Sequence, residues 1–227
     1  MRLALLLSLA LGACASAPPL DLYGEAPRDY TPEDYRRVYQ RWTRDAEAFA
    51  WTELQDVLRV TATFEARDFR WAYVVRYAND HSLVPDQRDA LLRATLADAA
   101  ENHRFFVTLA GQYHREGNLA AATTAWRVLL VDPEGGQTAP VEVERLRRPT
   151  AAERVYFPSV GPWRQAFRIV FPAVRADGSP SIPTDAGFVL LRLTGARGRV
   201  DLRWDLAGSS PDASGNAAAG RARPSRS

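Results

Sequence analysis

The sequence predicts an α+β fold: an antiparallel β-sandwich of about seven strands with a few helices packed on one side. Short apolar segments recur after residue 102 and are separated by Pro- and Gly-rich turns, which is typical of two packed antiparallel sheets. Alternating strand and helix units are absent from that half, which argues against a parallel sheet. Before residue 102, helical spacing and helix-start signals predict an N-terminal helix and a two-helix insertion.

The N-terminal helix is predicted to begin at Thr31-Pro32, because Thr caps helices and Pro suits the first helical position. Apolar and aromatic residues then follow at helical spacing. They are Tyr35, Val38, Tyr39, Trp42, Ala46 and Phe49. Such a stripe is usually a core face, although an aromatic ligand platform has the same pattern.

The two-helix insertion follows a strand. Alternating apolar residues from Leu58 to Phe64 predict that strand, half-buried. Asp68 is then expected to cap a helix that continues through Tyr77, and Pro85 to start another that ends near Asn102. The inner side of that third helix is expected to consist of Leu91, Leu92, Leu96 and Ala99.

The remaining chain is predicted to be β-structure. The clearest feature is a hairpin that pairs 188–193 with 200–206 across a glycine-rich turn at 195–198. The other expected strands are Phe105 to Leu109, Trp126 to Val131, Val141 to Leu146, Arg154 to Phe157 and Ala166 to Phe171.

The first residues have the pattern of a secretory signal, with Arg2 followed by an apolar run too short to span a bilayer. The run ends in Leu11-Gly12-Ala13-Cys14, which resembles the lipobox of bacterial lipoproteins. The resemblance implies cleavage before Cys14 and a diacylglycerol on its sulfur. Ala15 is not an aspartate, which implies outer-membrane rather than inner-membrane retention. The alternative is a cleaved signal with a chance cysteine, which would leave a soluble secreted protein.

The predicted organisation is a signal peptide at 1–13, a lipidated tether at 14–30, one globular domain at 31–207 and a disordered tail at 208–227. The tail carries Arg221, Arg223 and Arg226 against a single acid, and these account for the net charge of +2. The body is therefore close to neutral, with mixed charges, and no nucleic-acid partner is expected.

The sequence contains few candidate catalytic residues. The histidines His81, His103 and His114 do not have metal-ligand spacing, and the only cysteine is assigned to lipid. We therefore predict no enzyme activity, cofactor or metal. Two constellations remain: His103 with His114, which could meet in space, and Glu65 with Asp68, a carboxylate pair of the kind used in glycoside hydrolysis. The simpler interpretation is a strand-end residue and a surface residue for the first pair, and a helix cap for the second.

Trp163 is the most notable of six tryptophans, because it follows Gly161-Pro162 in a loop and is flanked by Arg164. An exposed aromatic ring beside arginine can anchor a protein partner or stack on a sugar. The alternative is that Trp163 plugs the end of the sandwich.

The expected function is that of a lipid-anchored cell-envelope protein, held to the membrane through Cys14, whose domain binds another envelope component, in the first place a protein. The alternative is a glycan-binding module or a weak envelope hydrolase. A third interpretation is a structural spacer in an outer-membrane assembly.

Overall fold

The computed structural model describes residues 18–23, 29–50, 55–111 and 117–207. Within these ranges the chain forms four α-helices and nine β-strands. The helices are α1 (Tyr35–Trp42), α2 (Arg67–Asp80), α3 (Pro85–Glu101) and α4 (Ala151–Tyr156). The strands are β1 (Thr43–Ala50), β2 (Gln55–Phe64), β3 (Asn102–Gly111), β4 (Trp126–Val131), β5 (Gln137–Thr138), β6 (Glu142–Leu146), β7 (Gln165–Pro172), β8 (Phe188–Gly195) and β9 (Gly198–Asp205).

The strands form two antiparallel sheets, which confirms the predicted α+β class. One sheet has five strands in the order β1-β2-β3-β7-β6, and the other has four in the order β5-β4-β8-β9. The predicted terminal hairpin is confirmed: β8 and β9 pair from Phe188↔Asp205 to Gly195↔Gly198. The strand count exceeds the expected seven mainly because the sequence pattern did not reveal β1 or the short β5.

The core between the two sheets is dominated by aromatic rings. Phe64 of β2 stacks on Phe105 of β3 with ring centroids 4.5 Å apart, and Trp204 of β9 meets Phe105 edge-on at 5.4 Å. All three are essentially inaccessible to solvent. Large buried rings contribute most of the apolar area in a core, so these contacts hold the sheets together without any disulfide.

The other face of the five-stranded sheet is covered by helices. Phe106 of β3 points to that side and stacks on Phe157, which follows α4, with ring centroids 3.8 Å apart. Phe69 and Tyr73 of α2 extend this second aromatic cluster. The helices therefore lie on one side of the sandwich, as predicted.

The first helix is shorter than predicted. It ends at Trp42, and the chain turns into β1, so the prediction that the stripe is helical as far as Ala46 and Phe49 was wrong. The indole of Trp204 donates a hydrogen bond to the carbonyl of Trp42 at 2.9 Å, and Thr43 is extended and pairs with Thr63. Tertiary contacts thus override a helical spacing that continues into the strand.

The predicted edge strand from Arg154 to Phe157 was also wrong, because these residues belong to α4 and its C-terminal cap. Thr150 and Glu153 form a capping box: the Glu153 amide donates to the Thr150 hydroxyl at 3.2 Å, and the Thr150 amide donates to the Glu153 carboxylate at 2.6 Å. These two bonds satisfy amides that would otherwise lack partners at the helix start, which favours a helical turn.

The two-helix insertion is confirmed, with two differences. The residue that caps α2 is Ala66 rather than Asp68, whose carboxylate accepts hydrogen bonds from the Tyr30 hydroxyl and, at 3.0 Å, from the Trp42 indole. The expected inner side of α3 is only half-buried, and no residue of this helix is fully buried. Helix α3 therefore contributes little buried apolar surface to the core.

Candidate binding surface

Trp163 lies in the loop that connects α4 to β7. Side-chain contacts fix this loop to the five-stranded sheet at both of its ends. At one end Phe157 stacks on Phe106. At the other end the guanidinium of Arg164 donates to the hydroxyls of Thr61 at 2.6 Å and Thr108 at 3.1 Å, both on the helix-covered face of the sheet. The side chain of Trp163 is 86% exposed between these two fixed points. The interpretation of Trp163 as a plug in the sandwich is therefore wrong.

An arginine-rich cleft of about 470 Å³ lies beside this loop; we call it the Trp163 cleft. Such a volume is within the range of ligand-binding clefts. The loop supplies one wall and the chain from β6 to α4 supplies the other. Its lining residues are Arg145, Leu146, Arg147, Pro149, Arg154, Val160, Gly161, Pro162, Arg164 and Gln165. Four of these ten residues are arginines and none is acidic, so the cleft carries positive charge.

Glu153, the acid adjacent to Arg154 in the chain, does not neutralise the charge of that arginine. Glu153 is buried and accepts a hydrogen bond from Arg168 at 2.6 Å, in addition to its role in the capping box. Within the described ranges, Arg147 and Arg154 have no carboxylate within 4 Å. Their guanidinium groups are thus available to a ligand.

The chemistry of the Trp163 cleft suits an anion. Guanidinium groups match the planar geometry of carboxylates and phosphates and can bind them through two parallel hydrogen bonds. Trp163 does not itself line the cleft, but its neighbours Pro162 and Arg164 do. Its exposed ring adds a large apolar surface that can pack on a partner side chain or on a sugar face. Both residue types are enriched among those that dominate binding energy at protein interfaces.

The carboxylate pair suggested by the sequence does not form a site. Asp68 is buried and occupied by hydrogen bonds from Tyr30 and Trp42. Glu65 lies next to a different cleft of about 370 Å³, beside Arg70 and other arginines. Desolvation raises the pKa of Glu65, although those arginines oppose the shift. The two carboxylates therefore occupy different surroundings.

The histidine pair cannot be assembled from the described residues, because His114 lies outside them. His103 is the second residue of β3, as the strand-end interpretation expected, and its side chain is buried. Burial and the nearby charge of Arg70 lower the pKa of His103 to about 4. Among the described residues, no group of three or more His, Cys, Asp or Glu side chains could hold a metal ion.

The lipobox residue Cys14 and the tail at 208–227 lie outside the described residues. In the described part of the chain, no helix is both long and apolar enough to cross a bilayer.

Sequence reasoning found Trp163 and Arg164 but missed the arginines across the cleft from them. The segment Arg145-Leu146-Arg147-Arg148 is visibly basic, yet the body as a whole is close to neutral, and an overall charge does not reveal a local cluster. Arg154 was assigned to a strand, and only the helix α4 brings it to the Trp163 cleft.

Comparison with known proteins found no matching family model and no matching curated protein. The chain is similar to the crystal structure of a protein of unknown function from Burkholderia pseudomallei, with 15% sequence identity and a TM-score of 0.35. The match covers 79% of this chain and 93% of that one. A likeness at this level does not bear on function.

Proposed function

We propose that this chain is a lipid-anchored, non-enzymatic binding protein of the cell envelope, which recognises an acidic surface of another envelope protein through Trp163 and the Trp163 cleft. The observation that supports the proposal is the 86% exposure of Trp163 next to a cleft in which Arg147 and Arg154 have no carboxylate within 4 Å among the described residues. An indole is rarely left so exposed when it contributes only to folding, since it then gains nothing from burial.

The N-terminal segment supports the proposed anchor geometrically. The amide of Leu20 donates to the backbone carbonyl of Asp205 in β9 at 2.9 Å, and the amide of Ala207 donates to the carbonyl of Leu20 at 2.8 Å. The segment is thus fixed to the sandwich six residues after Cys14. Six extended residues span at most about 20 Å, so a lipid on Cys14 would hold the domain close to the bilayer.

The anchor is tested by labelling growing cells with radioactive palmitate and comparing the native chain with Cys14→Ser. We expect label and membrane association in the native chain and neither in the variant, because two or three acyl chains give lasting attachment. A native chain without label, or a Cys14→Ser variant that stays on the membrane, would contradict the anchor.

The binding surface is tested by placing a photo-crosslinking amino acid at position 163 in cells, with the same label at Arg127 as the control. Arg127 is exposed on β4, in the four-stranded sheet. We expect crosslinking to a distinct protein only from position 163. Purified, that protein should bind the native chain, and Trp163→Ala and Arg154→Ala should each weaken binding. Equal affinity for all three chains would overturn the proposed surface.

A glycan is the second candidate partner, because an exposed indole next to a cleft of this size can stack on a sugar ring while arginine binds a carboxylate. Pull-down on peptidoglycan and on acidic polysaccharide separates the two. Retention that is lost in Trp163→Ala and kept in Trp163→Phe would favour the glycan over the protein.

A further inference from the structure

A second cavity, of about 350 Å³, lies between the N-terminal segment, the end of α3 and the start of β3. Its walls are mostly apolar and it also contains a few polar groups, which is the usual composition of a small-molecule site. The lining residues are Leu22, Tyr23, Phe64, Glu65, Ala66, Arg67, Ala99, Ala100, Asn102, His103, Ala173, Pro180 and Thr184. We call it the His103 cavity.

His103 presents its imidazole to this cavity. Its side chain is 7% exposed, and its ring lies nearly perpendicular to the ring of Phe64, with ring centroids 5.9 Å apart. The described residues offer the imidazole no hydrogen-bond partner, and its nitrogens are not among the fully buried atoms that lack one. The imidazole is therefore open to the cavity, and a ligand with a hydrogen-bonding group can pair with it there.

Arg67 adds a positive charge to the same cavity. It is the first residue of α2, half-buried, and within the described part of the chain it has neither a carboxylate within 4 Å nor a hydrogen-bonded partner for its guanidinium. Glu65 also borders the cavity, but its charge is opposed by Arg70 and by two further arginines on the other side of the strand end. Arg67 therefore remains as the uncompensated charge.

We propose that the His103 cavity binds an apolar carboxylic acid, such as a medium-chain fatty acid. The carboxylate would accept hydrogen bonds from the Arg67 guanidinium and from the N–H of neutral His103. The acyl chain would pack on the apolar wall formed by Leu22, Phe64 and Ala99. The proposal is independent of the Trp163 cleft, since the two share no lining residue.

Hydrogen bonds hold both walls of the cavity in place. The N-terminal wall is fixed, because the Tyr23 hydroxyl donates to the carbonyl of Ile182 at 2.6 Å and Leu20 is bridged to Leu206. The opposite wall is the end of α3, where Asp98 accepts hydrogen bonds from Arg70 and, at 2.6 Å, from Arg104. The cavity is therefore formed before a ligand binds, which lowers the ordering cost of binding.

The experiment uses the full chain with Cys14→Ser, so that no attached lipid competes for the cavity. Dansyl-undecanoic acid is the fluorescent probe, and dodecanoate and dodecanol are the competitors. We expect saturable binding of the probe and stronger displacement by dodecanoate than by dodecanol. Arg67→Ala should weaken dodecanoate binding about tenfold, the loss typical of one charge-assisted hydrogen bond, and leave dodecanol unchanged.

Two further variants complete the test. Arg93→Ala removes an exposed arginine of α3 that does not line the cavity and should bind as the parent does. Ala99→Trp fills the cavity and should abolish probe binding; Ala100→Trp, at an exposed position on the same wall, is used if Ala99→Trp does not fold. Absence of saturable binding, or binding unchanged in both Arg67→Ala and the filled variant, would overturn the proposal.

Discussion

Two groups of arginines in this protein have opposite surroundings. Around Asp98, Arg104 donates two hydrogen bonds of 2.6 Å to the carboxylate and Arg70 donates another. Arg70 also donates to the backbone carbonyls of Glu65 at 2.6 Å and Thr95 at 3.1 Å. In the Trp163 cleft the arginines face an open space without any acidic lining residue.

Arginine stabilises the fold around Asp98, whereas in the Trp163 cleft we propose that it serves recognition. Only 5% of the Arg70 side chain is exposed, and its donors connect α2, α3 and the start of β3. Arg147 and Arg154 are exposed, and neither has a carboxylate within 4 Å in the described part of the chain. What separates the two groups is whether a carboxylate and buried carbonyls lie within reach, because a buried guanidinium is tolerated only when its donors are satisfied.

The largest expected effect is the loss of Arg70. Arg70→Ala leaves the carboxylate of Asp98 with one partner fewer and removes the donor from the carbonyls of Glu65, Thr95 and Asn102. Asp98 keeps its two hydrogen bonds from Arg104, so the cost comes mainly from the backbone carbonyls left without a donor, at about 1–3 kcal/mol for an unsatisfied buried group. We expect a loss of about 3 kcal/mol in the free energy of unfolding, measured by urea denaturation.

The matched control is Arg88→Ala, which breaks an exposed pair with Asp89 on α3. Exposed pairs contribute about 0–1 kcal/mol, so this variant should unfold almost as the native chain does. Similar stabilities for Arg70→Ala and Arg88→Ala would show that the contrast between buried and exposed arginines does not hold.

A second, smaller effect concerns pH. Burial raises the pKa of Asp98, but hydrogen bonds from Arg104 and Arg70 outweigh it and lower the value to about 2. Because the folded pKa lies below the unfolded one, this group stabilises the fold at neutral pH and the contribution is lost as the pH falls from about 4 to about 2. The stability difference between the native chain and Asp98→Asn should therefore shrink over that range, measured by urea unfolding. A difference that stays constant down to about pH 2 would contradict the lowered pKa.

The strands of the second half of the chain were predictable from the sequence because their signals are local. In β4 the apolar run from Trp126 to Val131 is followed by a turn, and the hairpin of β8 and β9 is marked by Gly195 and Gly198. Alternation and turn residues report on strands directly, without knowledge of the partner strand.

The end of α1 was not predictable in this way, because it is set by a residue 162 positions later. The indole of Trp204 binds the carbonyl of Trp42, and no local signal marks that contact. For α4 the signal was present: Thr150 followed by Glu153 is a capping-box pattern. The β-branched and aromatic residues that follow it are typical of a strand, and the strand prediction was based on them.

The candidate surface was predictable only where its residues are adjacent in the sequence. Trp163 and Arg164 are adjacent in the sequence and follow Gly161-Pro162, so a loop with an aromatic tip could be inferred. The cleft depends on bringing Arg147 and Arg154 against that loop, which requires the pairing of β6 with β7 and the helix between them. The spacing of these residues in the sequence does not reveal that they lie near each other in the fold.

The smallest expected effect on stability concerns the arginines of the Trp163 cleft. The double variant Arg147→Ala with Arg154→Ala removes two exposed arginines that have no carboxylate within 4 Å in the described part of the chain. Exposed substitutions of this kind usually change stability by no more than about 0.5 kcal/mol. We expect the urea midpoint to stay unchanged, while binding to an acidic partner weakens and becomes less sensitive to salt.

A loss of stability in this double variant would mean that the arginines of the Trp163 cleft support the fold, as Arg70 does. A gain would also be informative, because positive charges without partners repel one another and their removal then relieves that repulsion. The control is Arg127→Ala on the four-stranded sheet, which changes the net charge without touching the Trp163 cleft. Only weakened binding in the double variant, with the affinity of Arg127→Ala unchanged, separates recognition from a general effect of charge.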